Sequence, residues 1–269
     1  MDYHPSNVIR ILRNKFNAKF GKPYPHDYRQ NKHYKSTFHL KLHQKFRKYD
    51  LEYTETGNII DRTNGKPFLI FSFDEAAFQF TSNYVRVWSI FKPEIENDST
   101  IYSCKMAGFH SLTPEGKDHI TLMEDATKET IAECLKELRE KNPEGTIMLL
   151  IDNFSSHKST FVKEETMKLN IDLCFLPAYS PQLQPIEKIW LDTKKILNYY
   201  KINTIKNYYE LNKELKGILL WAIVVDTFYK VVKIKTKWNY VFNNFIRPAL
   251  YRLHPRINSV LKSEIVIQK

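Results

Sequence analysis

The sequence predicts an α/β domain built on one mixed sheet, with flanking helices and a small helical region ahead of it. Three observations carry this. Near-continuous apolar runs at Phe68–Phe73 and Thr146–Ile151 read as buried strands, and residues 127–140 repeat apolar positions at helical spacing. From there strand and helix signals alternate to about residue 200. The chain has 269 residues, 42% hydrophobic and 14% aromatic, enough to bury one substantial core.

Before the first strand, Val8, Ile11, Leu12 and Phe16 recur at helical spacing, and Phe38, Leu40, Leu42 and Phe46 do so less regularly. The glycine and prolines at 21–25 break the two runs apart. Residues 1–50 are therefore expected to form a small basic helical region, one helix-turn-helix module or a remnant of one. Residues 51–66 read as a polar linker. A strand follows at Phe68–Phe73, a second is expected at Tyr84–Phe91 and a third at Ser99–Met106, with connections short enough for an antiparallel meander. Ile131, Leu135 and Leu138 then mark one face of a helix that Asn142-Pro143 stops. Residues 146–151 form a strand, 159–169 a short helix, 171–176 a strand, and Pro185 sits where a last helix, running to Tyr199, begins. Three strands followed by helix, strand, helix, strand, helix is the order of an RNase H-like mixed sheet, an antiparallel meander joined to parallel crossovers. The catalytic domain is expected at 67–200, and 201–269 as a basic helical extension packing on or beside it.

Charge is distributed unevenly. The net +11 divides into 12 Lys/Arg against 3 Asp/Glu in residues 1–50, 15 against 5 in 192–269, and 14 against 22 between them. Basic arms around an acidic centre suit a polyanion across the flanks and cations at the middle, although solvated lysine faces explain any single run equally well. Three widely spaced cysteines, Cys104, Cys134 and Cys174, support neither a disulfide framework nor a zinc site and point to a reducing, intracellular setting. The start has no secretory pattern, and the longest apolar run, Ile218–Val225, is far short of a membrane span. No membrane association and no small-molecule cofactor is expected.

Within the acidic centre, Asp74 follows the first apolar strand, Asp152 follows the Ile147–Ile151 run, and Glu187 follows a proline-rich turn at the start of a helix. On the predicted sheet the two aspartates lie on neighbouring strands, and the helix carries Glu187 back over them. Oxygen ligands converging this way suit a pair of divalent cations about 3.5–4 Å apart that activate one oxygen and stabilise another in phosphoryl transfer. Mg²⁺ fits a site of few carboxylates completed by water and substrate phosphate. Asn153, just behind Asp152, is a candidate to steady a metal ligand, with shaping of the turn as the alternative, and His157 is a candidate to position substrate or a metal-bound water, with structural hydrogen bonding as the alternative. Glu75 points to the opposite face of a continuing strand and reads as structural, and Trp190 reads as a packing residue.

Three blocks carry a family resemblance: Phe73-Asp-Glu-Ala-Ala-Phe78, Leu150-Ile-Asp-Asn-Phe-Ser-Ser-His157, and Leu176-Pro-Ala-Tyr-Ser-Pro-Gln-Leu-Gln-Pro-Ile-Glu-Lys-Ile-Trp190. Over about residues 60–200 the chain resembles DDE transposases of the mariner superfamily, and the 34 residues between Asp152 and Glu187 match its prokaryotic insertion-sequence branch. The resemblance implies Asp74, Asp152 and Glu187 as catalytic and metal-binding residues with Mg²⁺ or Mn²⁺, two ions. It also implies double-stranded DNA partners, both element ends and target, a homodimer bridging two ends, and a cytoplasmic, nucleoid-associated protein. Two departures stand out. Gln184 replaces the family's usual Asn, and only 73 residues precede Asp74 where members commonly carry two helix-turn-helix modules, so a shortened N-terminus is expected. A transposition-defective DNA-binding protein and another RNase H-like nuclease are the alternative readings. The basic arms predict DNA binding that weakens steeply from low to moderate salt; a flat response in a binding titration contradicts a phosphate-contact role.

Overall fold

The computed structural model describes residues 4–18, 28–54, 56–79, 103–208, 211–233 and 240–253. Contacts divide the chain into Met1–Gln30 and Asn31–Lys269. The first unit contributes one described helix, α1 (Pro5–Phe16), which opens on proline where a backbone N–H has no helical partner and closes on Asn17 at φ 49°. Its apolar positions Val8, Leu12 and Phe16 are exposed.

The second unit runs α2 (Tyr34–Phe46), β1 (Leu51–Tyr53), β2 (Ile59–Asp61), β3 (Lys66–Gln79), β4 (Ser103–Ser111), β5 (His119–Met123), α3 (Lys128–Lys141), β6 (Thr146–Ile151), α4 (Thr160–Lys168), β7 (Ile171–Phe175), α5 (Ile186–Tyr208) and α6 (Lys213–Val232). A π-helical turn, Phe242–Ile246, leads into α7 (Arg247–Leu253). β3, β4 and β5 form an antiparallel meander, while β6 pairs parallel with β3 and β7 parallel with β6. The order β5-β4-β3-β6-β7, with helices on both faces, is the RNase H-like arrangement that the element order predicts. Every residue of β6 is buried, as expected of a parallel strand covered on both sides.

The details depart from the expectation in three places. The strand expected at Ser99–Met106 lies at Ser103–Ser111 and is the second of the meander, and β5, which the sequence reading leaves unassigned, is the third. The strand expected at Tyr84–Phe91, with Arg86 and Trp88, lies outside the described residues. Residues 51–66, read as a linker, contain β1 and β2, which extend the sheet antiparallel from the start of β3. Asp61 closes the turn into β3 by accepting from the Thr63 amide and hydroxyl, with Gly65 at φ 69°. Finally, α2, grouped by the sequence reading with α1, buries Phe38, Leu42 and Phe46 against Phe68, Ile70 and the 241–250 segment. Lys45 pairs with Asp172 and Lys41 donates to the Phe175 carbonyl, which fixes α2 to β7.

β3 organises the core because its side chains alternate between two faces. Phe71 and Phe73 pack under α3, against Ile131, Leu135 and Leu138. On the other face, Phe68 and Ile70 join the α2–α7 cluster, and Ala76 and Phe78 join a cluster with Ile186, Trp190 and α6. Asp74 belongs to this second face, in the seam between the two clusters. Opposite it on β4 is Gly108. A Cβ there would lie 2.3 Å from Trp190 Cη2 and 2.9 Å from Ile186 Cδ1, so the missing side chain is what lets α5 settle onto the sheet. Gly108→Ala is predicted to destabilise the fold by about 1–3 kcal/mol through overpacking. Denaturant unfolding checks this, and an unchanged midpoint contradicts the close approach.

Candidate active site

The β3–β6 pairing runs from Phe68–Thr146 to Ser72–Leu150. Continued by two residues, the same register sets Asp152 alongside Asp74 and on the same face of the sheet. Asp152 is the first residue beyond β6, where the chain leaves the sheet. Glu187 stands in the first turn of α5, where a carboxylate is favoured by the helix dipole. Asp74, Asp152 and Glu187 thus line one cleft of about 370 Å³, together with Asn153 and the Leu176–Pro181 turn.

The backbone segments that carry the acids are tied together by identifiable contacts. Gln184 is buried and its amide donates to the Phe73 carbonyl at 2.7 Å, tying the turn before α5 to the residue preceding Asp74. The departure from the family's Asn therefore keeps an amide donor at this position with one more methylene of reach. Trp190, one turn beyond Glu187, is buried between Phe78 and Phe228, at 5.6 and 5.5 Å between ring centroids. Its packing role agrees with the sequence reading. Asn153 donates to the Leu176 carbonyl and so joins the chain after β6 to the turn after β7.

His157, in a short 3-10 turn at Ser156–Lys158, is the most constrained polar residue of the site. It is 1% exposed, its Nδ1 is 2.6 Å from Asp152 Oδ1, and its Nε2 is 2.8 Å from Glu75 Oε1. Asp152 Oδ1 also accepts from the Phe154 amide at 2.9 Å. Both bonds fall on the same oxygen, and Oδ2 takes none among the described residues. Glu75 does point to the opposite face from Asp74, as its place on the strand predicts, but there it meets His157, 82 residues away in sequence. That separation is why local pattern gives no hint of the contact.

The electrostatics follow from this arrangement. Burial, then the charges of Glu187, Glu75 and Asp152, push the Asp74 carboxyl up to about 8. Partial burial and Asp152 raise Glu187, with Lys194 opposing. For Asp152, burial works upward, but the bonds from His157 and Phe154 outweigh it and hold the group below the ordinary carboxylate range. For His157, burial works downward, and the bonds to Asp152 and Glu75 overcome it to raise the imidazole to about 9. Two paired carboxylates thus stabilise a cation, while Asp74 and Glu187 remain short of positive charge.

That shortage is the observation against which a metal can be tested. The cleft offers carboxylate oxygens, the hard donors that Mg²⁺ and Mn²⁺ take, including Oδ2 of Asp152. A divalent cation relieves the repulsion that raises Asp74. The side chains as they stand do not close into a chelating set: among the described residues no three His, Cys, Asp or Glu groups gather tightly enough to hold one ion. The residues fit the metal in donor type and charge.

Residues 70–209 match the family described as DDE superfamily endonuclease. Comparison with curated proteins gives no match. Among solved structures, the Mos1 transposase paired-end complex with left transposon end is similar at 18% identity and a TM-score of 0.49, over 87% of this chain and 71% of that one. The Mos1 strand transfer complex is similar at 15% identity and 0.49, over 89% and 70%. The catalytic domain of Mos1 mariner transposase is similar at 13% and 0.41, over 83% and 98%. No described helix is long and apolar enough to cross a membrane.

The shifts predict a pH dependence for the metal-free protein. A carboxyl raised when folded keeps a proton that the unfolded chain has lost, so Asp74 makes stability fall as pH rises from about 4 to about 8. A histidine raised when folded contributes stability that is complete below about 6.5 and lost as pH climbs through about 9. Thermal unfolding should therefore show a midpoint falling across this range, and Asp74→Asn should flatten its lower part. An unaltered slope in that variant contradicts the origin assigned to it.

Proposed function

The chain belongs to the DDE superfamily endonuclease family, and from that premise we propose that it is a transposase, cutting DNA at the ends of a mobile element and joining them to target DNA. One observation supports this above the rest: the acids of three separate motifs, Asp74, Asp152 and Glu187, line one cleft on adjoining elements of the sheet and α5. The 34-residue interval between Asp152 and Glu187 further supports placement in the prokaryotic insertion-sequence branch, acting on DNA in the cytoplasm.

In this reading Asp74, Asp152 and Glu187 would hold one or two Mg²⁺ or Mn²⁺ ions. When bound, such ions supply charge neutralisation at the phosphate and lower the cost of forming an oxygen nucleophile. The chain's own contribution is placement. Asp152 presents Oδ2 because His157 and the Phe154 amide occupy Oδ1. Gln184 and the seating of Trp190 over Gly108 hold Glu187 above β3 near Asp74. Cleavage adds water across a phosphodiester, freeing a 3′-hydroxyl and leaving a 5′-phosphate. In transfer, that hydroxyl attacks a target phosphodiester in line and a target 3′-hydroxyl departs, so no bond to the protein forms. Duplex DNA is the partner, with Lys and Arg of the two basic arms contacting phosphates, and two copies of the chain bridge a pair of ends.

End-labelled duplexes carrying the element ends, incubated with Mg²⁺ or Mn²⁺, test the proposal. Cleavage at the element boundary is expected, and Asp74→Asn, Asp152→Asn and Glu187→Gln should each reduce it by at least about 10²-fold while DNA affinity stays within a few-fold. Undiminished cleavage in any one of the three removes that residue from the centre, and binding without cleavage by the unaltered protein rejects the proposal.

A further inference from the structure

Asp74 and Glu75 are consecutive on β3 and face opposite sides of the sheet. Asp74 opens into the cleft, whereas Glu75 lies beneath the turn that follows β6 and meets His157 Nε2 at 2.8 Å. From this arrangement we infer that Glu75 is a positioning residue that acts through His157 to fix the carboxylate of Asp152, an inference that rests on the proposed metal-dependent cleft.

The geometry gives the chain of contacts little freedom. The imidazole is 1% exposed, and its ring packs edge-on against Phe73 at 5.5 Å and Phe154 at 5.6 Å. A buried imidazole is oriented by whatever its two nitrogens meet, and here one meets Glu75 and the other Asp152. Asp152 has the opposite character: its side chain is 45% exposed and just past the end of a strand, where it would turn freely if only water met it. Holding Oδ1 at 2.6 Å from a buried, doubly anchored ring removes that freedom and leaves Oδ2 toward the cleft. Glu75 is 20% exposed and stands on the longest strand of the sheet, so its end of the relay is anchored in the core. The relay crosses the sheet: the face beneath α3 sets a ligand that works on the face beneath α5.

A competing role for Glu75 is simple satisfaction of a buried histidine, which contributes stability and nothing to the cleft. The two differ in their dependence on metal. Mn²⁺ binding followed by electron paramagnetic resonance should weaken about 10–100-fold in Glu75→Ala, with Glu75→Gln, which keeps an acceptor for Nε2, falling between that variant and the unaltered protein. His157→Ala should weaken binding to a similar degree, and adding Glu75→Ala to it should cost little more. DNA cleavage by Glu75→Ala should recover toward the unaltered rate as Mn²⁺ is raised. Unchanged Mn²⁺ affinity in Glu75→Ala, or a rate loss that is the same at every Mn²⁺ concentration and accompanied by a lower unfolding temperature, overturns the inference. If the unaltered protein binds no Mn²⁺, the metal-dependent reading fails by itself, and a crystal structure of Glu75→Ala, which leaves Nε2 without its acceptor, decides this point separately. An Asp152 carboxylate turned away from the Phe154 amide supports positioning, and one unmoved refutes it.

Discussion

Where β4 passes beside Asp74, the space that a side chain at position 108 would take is filled by the indole of Trp190. Helix α5 can come this close to the sheet only because Gly108 has no Cβ, and once there it buries Ile186, Ile189 and Trp190 against Ala76, Phe78 and α6. Glu187 lies one turn before Trp190, so the depth at which the indole seats determines how far Glu187 reaches over β3 toward Asp74. Gln184 adds a second fixed point by bonding the turn before α5 to the Phe73 carbonyl. An apolar contact and one buried hydrogen bond thus place a charged group that could not hold itself beside two others.

The charges themselves oppose the arrangement. Asp74 is forced up by burial and by three neighbouring carboxylates, a cost that the packing of three apolar clusters sustains. Asp152 escapes because His157 gives it a cation, and His157 remains a cation because Glu75 supports it from beyond the sheet. The site is therefore asymmetric: one acid is already compensated by protein, and two call for positive charge from outside. The same division appears in the whole chain, whose acidic middle lies between two basic arms.

Much of this was legible in the sequence because the elements that carry the acids are the ones with the strongest local patterns. The Phe68–Phe73 run is broken only by Ser72 and the Ile147–Ile151 run is uninterrupted, the helix with Ile131, Leu135 and Leu138 is strongly amphipathic, and Pro185 marks where α5 starts. What escaped had weak or misleading local signals. β1 and β2 are three residues each, too short for alternation to register, and β5 mixes polar with apolar positions and exposes a leucine, Leu122. β4 runs further along the chain than its expected span, through Ala107-Gly108-Phe109, and a glycine in that position reads as the end of a strand although it is the docking point of α5. The contact between Glu75 and His157 depends on two elements folding together, which no local window contains.

The central claim is that Asp74, Asp152 and Glu187 form one divalent-metal centre. Anomalous diffraction from crystals of the protein soaked in Mn²⁺ tests it most directly. The account predicts anomalous density in the cleft within coordinating distance of all three carboxylates, with Asp152 engaged through Oδ2 and Oδ1 still bonded to His157. Density that touches none of the three, or that appears with Asp152 released from His157, contradicts it.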